Sequence, residues 1–329
     1  MTPHIATPVL QAIHTAITAD QGAAFRGWEK RVFPHMDDAY RSEKEDGFRT
    51  HLGASLLGDK CARSLWYGFR WFTKPSFDAR TLRLFNRGHL EEARFVAMLL
   101  TIGVEVFQQD SNGKQFRISE LGGHLGGSGD GVGMNVPGIH SSLAVLLEFK
   151  THNDTSFQKL AGKSWRKYHE SLLTPGLPRV EFDGEGVRSA KFQHYVQMTS
   201  YMRKMDLPLG LYMAVNKNDD DIYAEFVPRD DAMADGMLAR GRKVIMMREP
   251  PDKLNKSPGW FDCKFCNHRP VCHLGHPPER NCRTCVHSYA VEDGRWVCNV
   301  PTQPDGGGAG VVLDKAAQLA GCNQYESIK

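Results

Sequence analysis

The apolar segment AVLLEFKT, residues 144–151, constrains the fold most strongly. It follows a Val-Pro-Gly turn, and an apolar run of this length after turn residues predicts a buried central strand. Because side chains alternate along a strand, Glu148 and Lys150 share one face while Phe149 points into the core. An isolated Glu-x-Lys is most often a surface ion pair. Here the apolar run favours a functional site, because charged groups at the end of a buried strand need partners.

A second carboxylate precedes this strand, since Asp130 lies in the segment GSGDGVG at residues 127–133. The surrounding segments VEVFQQD, FRISEL and GHLGGSGDGVG predict short strands separated by Asn-Gly and Gly-Gly turns. If the strand of Asp130 pairs with that of Glu148 through the Val-Pro-Gly turn, the two carboxylates meet near one end. Their oxygens suit a divalent ion such as magnesium. That metal would polarise a phosphate, and Lys150 would orient the attacking water.

Helical patterns flank these strands. The segment NRGHLEEARFVAMLLTIG predicts a helix that ends at Gly103, with His89 in its first turn. SAKFQHYVQMTSYMRKM predicts a second helix, GLYMAVNKNDDDIYAEFV a hairpin, and residues 230–247 a further helix. We therefore predict an α/β (α+β) fold with a mixed central sheet flanked by helices. The predicted domains are a helical cap at 1–50, a central domain at 51–275 and a cysteine-rich module at 276–329.

The composition of the chain indicates its cellular compartment but does not identify a binding partner. The net charge of +3 is too small to identify a nucleic-acid partner, because an average hides local basic patches. No apolar stretch is long enough to span a bilayer, and the N-terminal segment lacks the basic start and apolar core of a secretory signal. We expect a cytoplasmic protein with no membrane partner. In that reducing compartment, eight cysteines with two C-x2-C pairs favour metal or cluster ligation over disulfides.

Taken in order, these motifs resemble the PD-(D/E)xK nucleases, and within them the RecB-like branch that includes the iron-sulfur nucleases of recombination and CRISPR adaptation. The resemblance covers roughly Cys61 to Cys272. The matching motifs are Gly88-His89, Gly129-Asp130-Gly131, Glu148-Phe149-Lys150, and a later Q-x-x-x-Y formed by Gln197 and Tyr201. The proline that gives the family its name is absent, and Gly129 stands in its place.

This resemblance implies a restriction-endonuclease-like core and a role for each matching residue. The metal, Mg²⁺ or Mn²⁺, would be ligated by His89, Asp130, Glu148 and the carbonyl of Phe149, while Lys150 assists the water. Gln197 and Tyr201 are four residues apart and so share one helix face, where they would border the site and touch the DNA strand. Each motif taken alone is weak evidence for this resemblance. The order and spacing of the motifs along the chain are what support it.

The first cysteine group is Cys263, Cys266 and Cys272, which form C-x2-C-x5-C in WFDCKFCNHRPVCHLG. Three thiolates leave a four-ligand site one ligand short. Spacing alone is equally compatible with a zinc site completed by His268, His273 or His276. The resemblance instead supplies Cys61 as the fourth ligand of a [4Fe-4S] cluster.

The second cysteine group is Cys282, Cys285, Cys298 and Cys322. Its C-x2-C knuckle precedes a predicted hairpin with a Glu-Asp-Gly turn, as in a small zinc ribbon. A module of about fifty residues has little core, so Zn²⁺ would contribute much of its folding energy. His287 is a candidate substitute for Cys322. The module is either a metal-stabilised cap or a docking appendage for DNA or protein.

Basic and aromatic residues follow the central strand. Basic residues that include Lys163, Arg166, Lys167 and Lys191, interleaved with Trp165, lie between the Glu-x-Lys strand and the Q-x-x-x-Y helix. Such a mixture suits single-stranded DNA, with cations on phosphates and rings under bases. The alternative is a solvated loop with ordinary charges.

The combined interpretation is a Mg²⁺- or Mn²⁺-dependent DNA exonuclease that acts on single-stranded or duplex ends. Its biological setting would be recombination, repair or phage DNA processing, with recombination or replication proteins as possible partners. Two alternatives remain, a non-catalytic scaffold that binds DNA ends and a structure-specific endonuclease.

Overall fold

The computed structural model describes residues 3–33, 48–300 and 310–329. These residues form two compact units, each assembled from three separate stretches of the chain. The first unit draws on Met1–Glu43, Phe77–Arg117 and Ser128–Ala234, and the second on Lys44–Ser76, Ile118–Gly127 and Asp235–Lys329. The predicted central domain, 51–275, therefore contributes residues to both units.

The strands and helices of the described residues are short except around the central sheet. The strands are β1 (His4–Ile5), β2 (Leu52–Gly53), β3 (Glu105–Phe107), β4 (Arg117–Glu120), β5 (Leu125–Ser128), β6 (Gly131–Met134), β7 (Val145–His152), β8 (Leu209–Asn216), β9 (Ile222–Pro228), β10 (Ser288–Ala290), β11 (Trp296–Cys298) and β12 (Val311–Leu313). The helices are α1 (Thr7–Ala19), α2 (Ala23–Val32), α3 (Ala62–Phe69), α4 (Ala79–Thr101), α5 (Asp154–Ala161), α6 (Trp165–Leu173), α7 (Gly186–Ala190), α8 (Phe192–Met205), α9 (Asp231–Met246), α10 (Phe261–Lys264), α11 (Arg269–Leu274) and α12 (Lys315–Ala320).

The predicted helical cap is represented by α1 and α2, while its residues 34–47 lie outside the described stretches. Across the helices given above, none combines the length and apolar character needed to cross a membrane.

The first unit is built on a six-stranded sheet in the order β1-β9-β8-β7-β6-β3. Only β7 and β8 run parallel, and the other neighbouring pairs are antiparallel. The prediction of a mixed sheet with helices is confirmed. The predicted hairpin over residues 210–227 is also confirmed, since β8 and β9 pair antiparallel from Leu209↔Pro228 to Val215↔Ile222.

The register between β6 and β7 brings the two predicted carboxylates together. Gly131 lies opposite Leu147 in an antiparallel ladder. Asp130 directly precedes Gly131, and Glu148 directly follows Leu147, so continuing the register by one position places them opposite each other. The predicted pairing of these two strands is confirmed.

Helix α4 packs its C-terminal half against the sheet. Phe95 of α4 stacks on Phe149 of β7, with ring centroids 5.1 Å apart, and Val96 and Leu99 are also buried. The helix begins after Asp78, whose carboxylate accepts a hydrogen bond from the Thr81 N–H at 2.7 Å. It ends just before Gly103, which has φ +82° and suits the left-handed turn out of a helix. The predicted end of this helix is confirmed. Its predicted start is wrong, because the helix begins at Ala79, and His89 lies in the middle of the helix and not in its first turn.

The second unit contains two three-stranded sheets, β2-β5-β4 and β10-β11-β12. The hairpin β10–β11 pairs antiparallel through the predicted Glu-Asp-Gly turn. Gly122 comes so close to this turn that an added Cβ would lie 2.1 Å from the carbonyl carbon of Asp293, so no larger residue fits there. The hairpin of the cysteine-rich module is therefore observed, and its assignment as a zinc ribbon stays a prediction.

Candidate active site

The backbone of β7 holds the carboxylate of Asp130 in place. The N–H of Phe149 donates a hydrogen bond to Asp130 Oδ2 at 2.7 Å. Asp130 is half-buried, whereas Glu148 is 0% exposed. Two carboxylates from adjacent strands thus face one another at the place where the sequence predicted a metal.

Lys150 joins the other polar atoms of the site. Its ammonium donates to Glu148 Oε1 and, at 3.1 Å, to the carbonyl oxygen of Phe149. Glu148 Oε2 is buried and has no hydrogen-bond partner among the described residues. The Lys150 ammonium therefore donates hydrogen bonds to two of the oxygens that the motifs assign to a metal, Glu148 Oε1 and the Phe149 carbonyl. Glu148 Oε2 is left available.

Electrostatics at the site favour a bound cation. Burial raises the pKa of Glu148 to about 7; the Lys150 ammonium opposes this shift and the Asp130 charge adds to it. Burial lowers the pKa of Lys150, but the charges of Glu148 and Asp130 outweigh it and leave that pKa raised. Lys150 thus stays positive at neutral pH. With both carboxylates ionised the group carries one net negative charge, which a divalent ion would compensate.

His89 lies on α4, and among the described residues no hydrogen bond or ion pair joins it to Asp130 or Glu148. Its Nδ1 is buried without a hydrogen-bond partner and lies 3.8 Å from Glu92 Oε1. The negative charge of Glu92 in turn helps to raise the pKa of Lys150, after larger effects from burial, Glu148 and Asp130. Glu92 was not predicted, although its spacing of three residues after His89 places both on one helix face.

Gln197 and Tyr201 lie on α8 and are 7% and 2% exposed. A Cβ added at Gly129 would lie 3.8 Å from the Tyr201 ring, so this ring approaches the chain one residue before Asp130. Tyr201 is therefore close to the predicted site, and Gln197 precedes it by one turn of the same helix. Their contact with a DNA strand stays a prediction.

A buried polar network continues along the same face of β7. His152 Nε2 lies 2.9 Å from the Tyr212 hydroxyl, and His194 Nδ1 lies 3.0 Å from it. Tyr212 is aligned with Glu148 in the β7–β8 register. Burial, together with the charges of nearby lysines, lowers the pKa of His152 to about 3 and that of His194 to about 2. The sequence analysis missed this network, for which the signal was the alternation of Glu148, Lys150 and His152.

The first cysteine group lies within the second unit. Cys61 Sγ accepts a hydrogen bond from the Ser64 N–H at 3.4 Å, and Cys266 Sγ lies 4.0 Å from Ser64 Oγ. Burial raises the pKa of the Cys266 and Cys272 thiols, and the charge of Cys61 raises both further. Cys61 is therefore a neighbour of two of its three predicted partners.

Two histidines of the alternative zinc site, His268 and His273, differ in their hydrogen bonding. His268 Nδ1 lies 2.7 Å from Thr73 Oγ1, and burial lowers the pKa of His268 to about 4. His273 Nε2 is buried with no hydrogen-bond partner among the described residues. His268 is thus held by Thr73, while His273 has a nitrogen available.

The second cysteine group also lies within the second unit. Burial, followed by the charges of Cys298, Cys322 and Cys285, raises the pKa of Cys282 to about 11. His287 Nε2 lies 3.6 Å from Glu326 Oε2. None of the eight cysteines, all of which lie within the described stretches, forms a disulfide. Within the described stretches, no three His, Cys, Asp or Glu side chains are arranged closely enough to hold a metal ion.

The predicted DNA-binding segment divides into buried and exposed residues. Trp165 is 3% exposed, and its ring packs against Phe157, His169 and Tyr223. The prediction that Trp165 stacks under bases is therefore wrong, because its ring belongs to the core. Lys163, Arg166 and Lys167 are exposed, and Arg166 pairs with Asp219 at 3.0 Å and Asp221 at 2.8 Å.

Neither the family models nor the curated proteins contain a match to this sequence. Among solved structures, the chain is similar to LHK-Exo, an alkaline exonuclease from Laribacter hongkongensis, at 15% identity and a TM-score of 0.36 over 59% of this chain and 85% of that one. LHK-Exo in complex with dAMP gives 16% identity and a TM-score of 0.38 with the same coverage. The protein SSO0001 gives 15% identity and a TM-score of 0.34 over 77% of this chain and 96% of that one. Similarities with TM-scores this low assign neither a fold nor a reaction to the chain.

Proposed function

We propose that this protein is a metal-dependent deoxyribonuclease that hydrolyses phosphodiester bonds, beginning at DNA ends. The observation that carries the proposal is the pair of carboxylates on adjacent strands, Asp130 and Glu148, with the ammonium of Lys150 beside them. The preference for ends rests on the resemblance of the motifs to RecB-like nucleases.

The donor atoms fit a hard divalent cation. Mg²⁺ or Mn²⁺ would be held by Asp130, Glu148, the Phe149 carbonyl and His89. Two observations support this set: the unpartnered Oε2 of the buried Glu148 and the unpartnered Nδ1 of His89. When bound, such a metal lowers the pKa of a coordinated water and polarises a phosphoryl oxygen.

The protein's own groups position and stabilise the reacting atoms. The Phe149 N–H fixes the orientation of Asp130, and β7 fixes that of Glu148. Lys150 carries its charge at neutral pH because its pKa is raised. Its ammonium can therefore donate to an attacking hydroxide or to an oxygen of the phosphate, where negative charge develops in the transition state.

The test is an assay on end-labelled linear DNA with Mg²⁺ or Mn²⁺, comparing the wild type with Asp130→Ala and Lys150→Ala. We expect stepwise shortening by the wild type and little by either variant. Covalently closed circular DNA should survive, and its cleavage would favour the endonuclease. Equal activity in all three proteins would indicate a contaminating nuclease and favour the scaffold.

We also propose a [4Fe-4S] cluster on Cys61, Cys263, Cys266 and Cys272, and Zn²⁺ on Cys282, Cys285, Cys298 and Cys322. The mutual influence of the charges of Cys61, Cys266 and Cys272 supports the first assignment, and that of Cys282, Cys285, Cys298 and Cys322 supports the second. Iron and zinc counting on anaerobically purified protein should give about four irons and one zinc, since each group supplies four thiolates. Cys61→Ala should remove iron and its visible absorbance but keep zinc, and Cys282→Ala should do the reverse. Two zinc ions without iron would overturn the cluster.

A further inference from the structure

Lys191 is a half-buried lysine with no carboxylate partner. It lies between α7 and α8, and its ammonium donates to Ser156 Oγ. No carboxylate of the described residues is within ion-pair distance of it. The nearest acidic influence is Glu185, whose carboxylate lies 3.8 Å from Lys159 instead.

A chain of polar contacts connects Lys191 with the candidate active site. Ser156 Oγ lies 3.5 Å from His152 Nδ1, and His152 Nε2 lies 2.9 Å from the Tyr212 hydroxyl. Tyr212 is aligned with Glu148 in the sheet. His152 itself shares a strand face with Glu148 and Lys150. Ser156, His152 and Tyr212 therefore link Lys191 to the strand that carries Glu148 and Lys150.

The two lysines near this network differ in how their charge is compensated. Lys150 is neutralised by Glu148, while Lys191 has only the neutral hydroxyl of Ser156. The histidines between them are held neutral, since burial and both lysines lower the pKa of His152 and of His194. A partly desolvated ammonium without a counter-ion is unfavourable. An anion bound beside it would remove that penalty.

We propose that Lys191, oriented by Ser156, binds one phosphate group of the nucleic-acid strand beside the Glu148–Lys150 pair. This inference rests on the proposed function, because the DNA backbone is the anion that a nuclease brings to this position. It assigns a specific phosphate contact to a residue that the sequence analysis placed only within the basic segment before the Q-x-x-x-Y helix.

The test measures DNA binding in EDTA and cleavage with Mn²⁺ for Lys191→Gln, Lys191→Arg and Lys159→Gln. We expect Lys191→Gln to raise Kd and KM about ten-fold, as for loss of one hydrogen bond to a charged group. Its plot of log affinity against log salt should flatten by about 0.7–0.9, the value for one phosphate contact. Lys191→Arg should restore both, and the exposed Lys159→Gln should resemble the wild type. Thermal unfolding controls for folding.

A scan with single neutral methylphosphonate linkages locates the phosphate. One substitution should weaken binding to the wild type but not add to the effect of Lys191→Gln. Coupling at an internal linkage identifies a backbone phosphate, whereas dependence on a phosphorylated rather than a hydroxyl end identifies a terminal one. Normal binding by Lys191→Gln, or coupling at neither kind of phosphate, overturns the inference. Coupled binding by a wild type that cuts no DNA would keep this inference and overturn the nuclease.

Discussion

Buried charges in the two units are satisfied in opposite ways. In the second unit, Arg70 and Arg283 are 1% and 2% exposed, and every guanidinium nitrogen of both donates a hydrogen bond. The acceptors are backbone carbonyls and the side-chain oxygen of Gln318, and the Arg283 guanidinium also lies 3.8 Å from the Trp71 ring centroid. In the first unit, the equally buried Glu148 leaves Oε2 without a partner.

This difference distinguishes the buried charges of Arg70 and Arg283, which join chain segments, from that of Glu148, for which we propose a role in metal binding. Burial lowers the pKa of Arg70 to about 9 and that of Arg283 to about 8, so both remain cationic at neutral pH and hold together several chain segments. Each of their nitrogens already donates to the protein, so neither guanidinium has a nitrogen without a partner. At Glu148 an acceptor remains, and the cost of burying it is recovered only when a cation or proton arrives.

The largest effect should follow from removing the charge of Lys150. Lys150→Met should lower the cleavage rate about a hundred- to thousand-fold, as for loss of one preorganised donor to developing charge. Because Glu148 can take up a proton once its partner is gone, the protein should remain folded. Initial rates on end-labelled DNA with Mn²⁺, together with thermal unfolding, measure both quantities.

Lys114→Met, which removes an exposed lysine, is the matched control and should change neither rate nor stability. A folded Lys150→Met variant with the wild-type rate would place Lys150 among the structural charges, and the distinction between the two units would fail.

The next largest effect concerns stability. Arg283→Leu should lower the free energy of unfolding by about 3 kcal/mol, because it leaves buried acceptors unpaired. The exposed Arg242, which pairs with Glu292, provides the control, and Arg242→Leu should cost less than about 0.5 kcal/mol. Urea denaturation monitors both. A small loss at Arg283 would mean that water or other groups replace its contacts.

The sequence predicted the buried charges of the candidate active site and missed those that join chain segments of the second unit. Glu148 and Lys150 were found because an apolar run made their charges anomalous. Arg70 and Arg283 carry no such local signal, since their acceptors come from chain segments far apart in sequence. The prediction for Trp165 was wrong for the same reason. Its basic neighbours in the sequence indicated an exposed ring, but Tyr223, more than fifty residues away in the chain, packs against that ring. Pairings between neighbouring segments, such as β6 with β7, were predicted correctly.

A third prediction uses pH to test the burial of Glu148. Its pKa in the folded protein, about 7, exceeds the ordinary value of 4.5. The folded state therefore binds the proton more tightly, and the associated stability is present at low pH and lost as pH rises through 7. Without metal, the wild type should lose about 2–3 kcal/mol between pH 5 and 8 relative to Glu148→Gln. Lys150 does not titrate in this window, because its pKa is raised.

Urea unfolding of both proteins in EDTA at pH 5, 6, 7 and 8 measures this difference. Adding Mn²⁺ at pH 8 should restore stability to the wild type and have less effect on Glu148→Gln, because the ion binds the ionised folded state. If the free energy of unfolding varied with pH in the same way for both proteins, burial would not raise the pKa of Glu148. The contrast between the unsatisfied Glu148 and the satisfied Arg283 would then disappear.

The smallest effect should come from the exposed charges around Trp165. Lys163→Glu and Lys167→Glu should each weaken DNA binding a few-fold and flatten its salt dependence, because each removes one cation that can contact a phosphate. Arg166→Glu should also leave Asp219 and Asp221 without their ion-pair partner, and so combine a change in binding with local repulsion.

Trp165→Leu, in contrast, should lower stability without changing the salt dependence, since its ring is in the core. Salt titrations of binding to a single-stranded oligonucleotide distinguish these outcomes. If all three charge reversals bind as the wild type does, the segment is an ordinary solvated surface, and DNA recognition belongs to the neighbourhood of Glu148 alone.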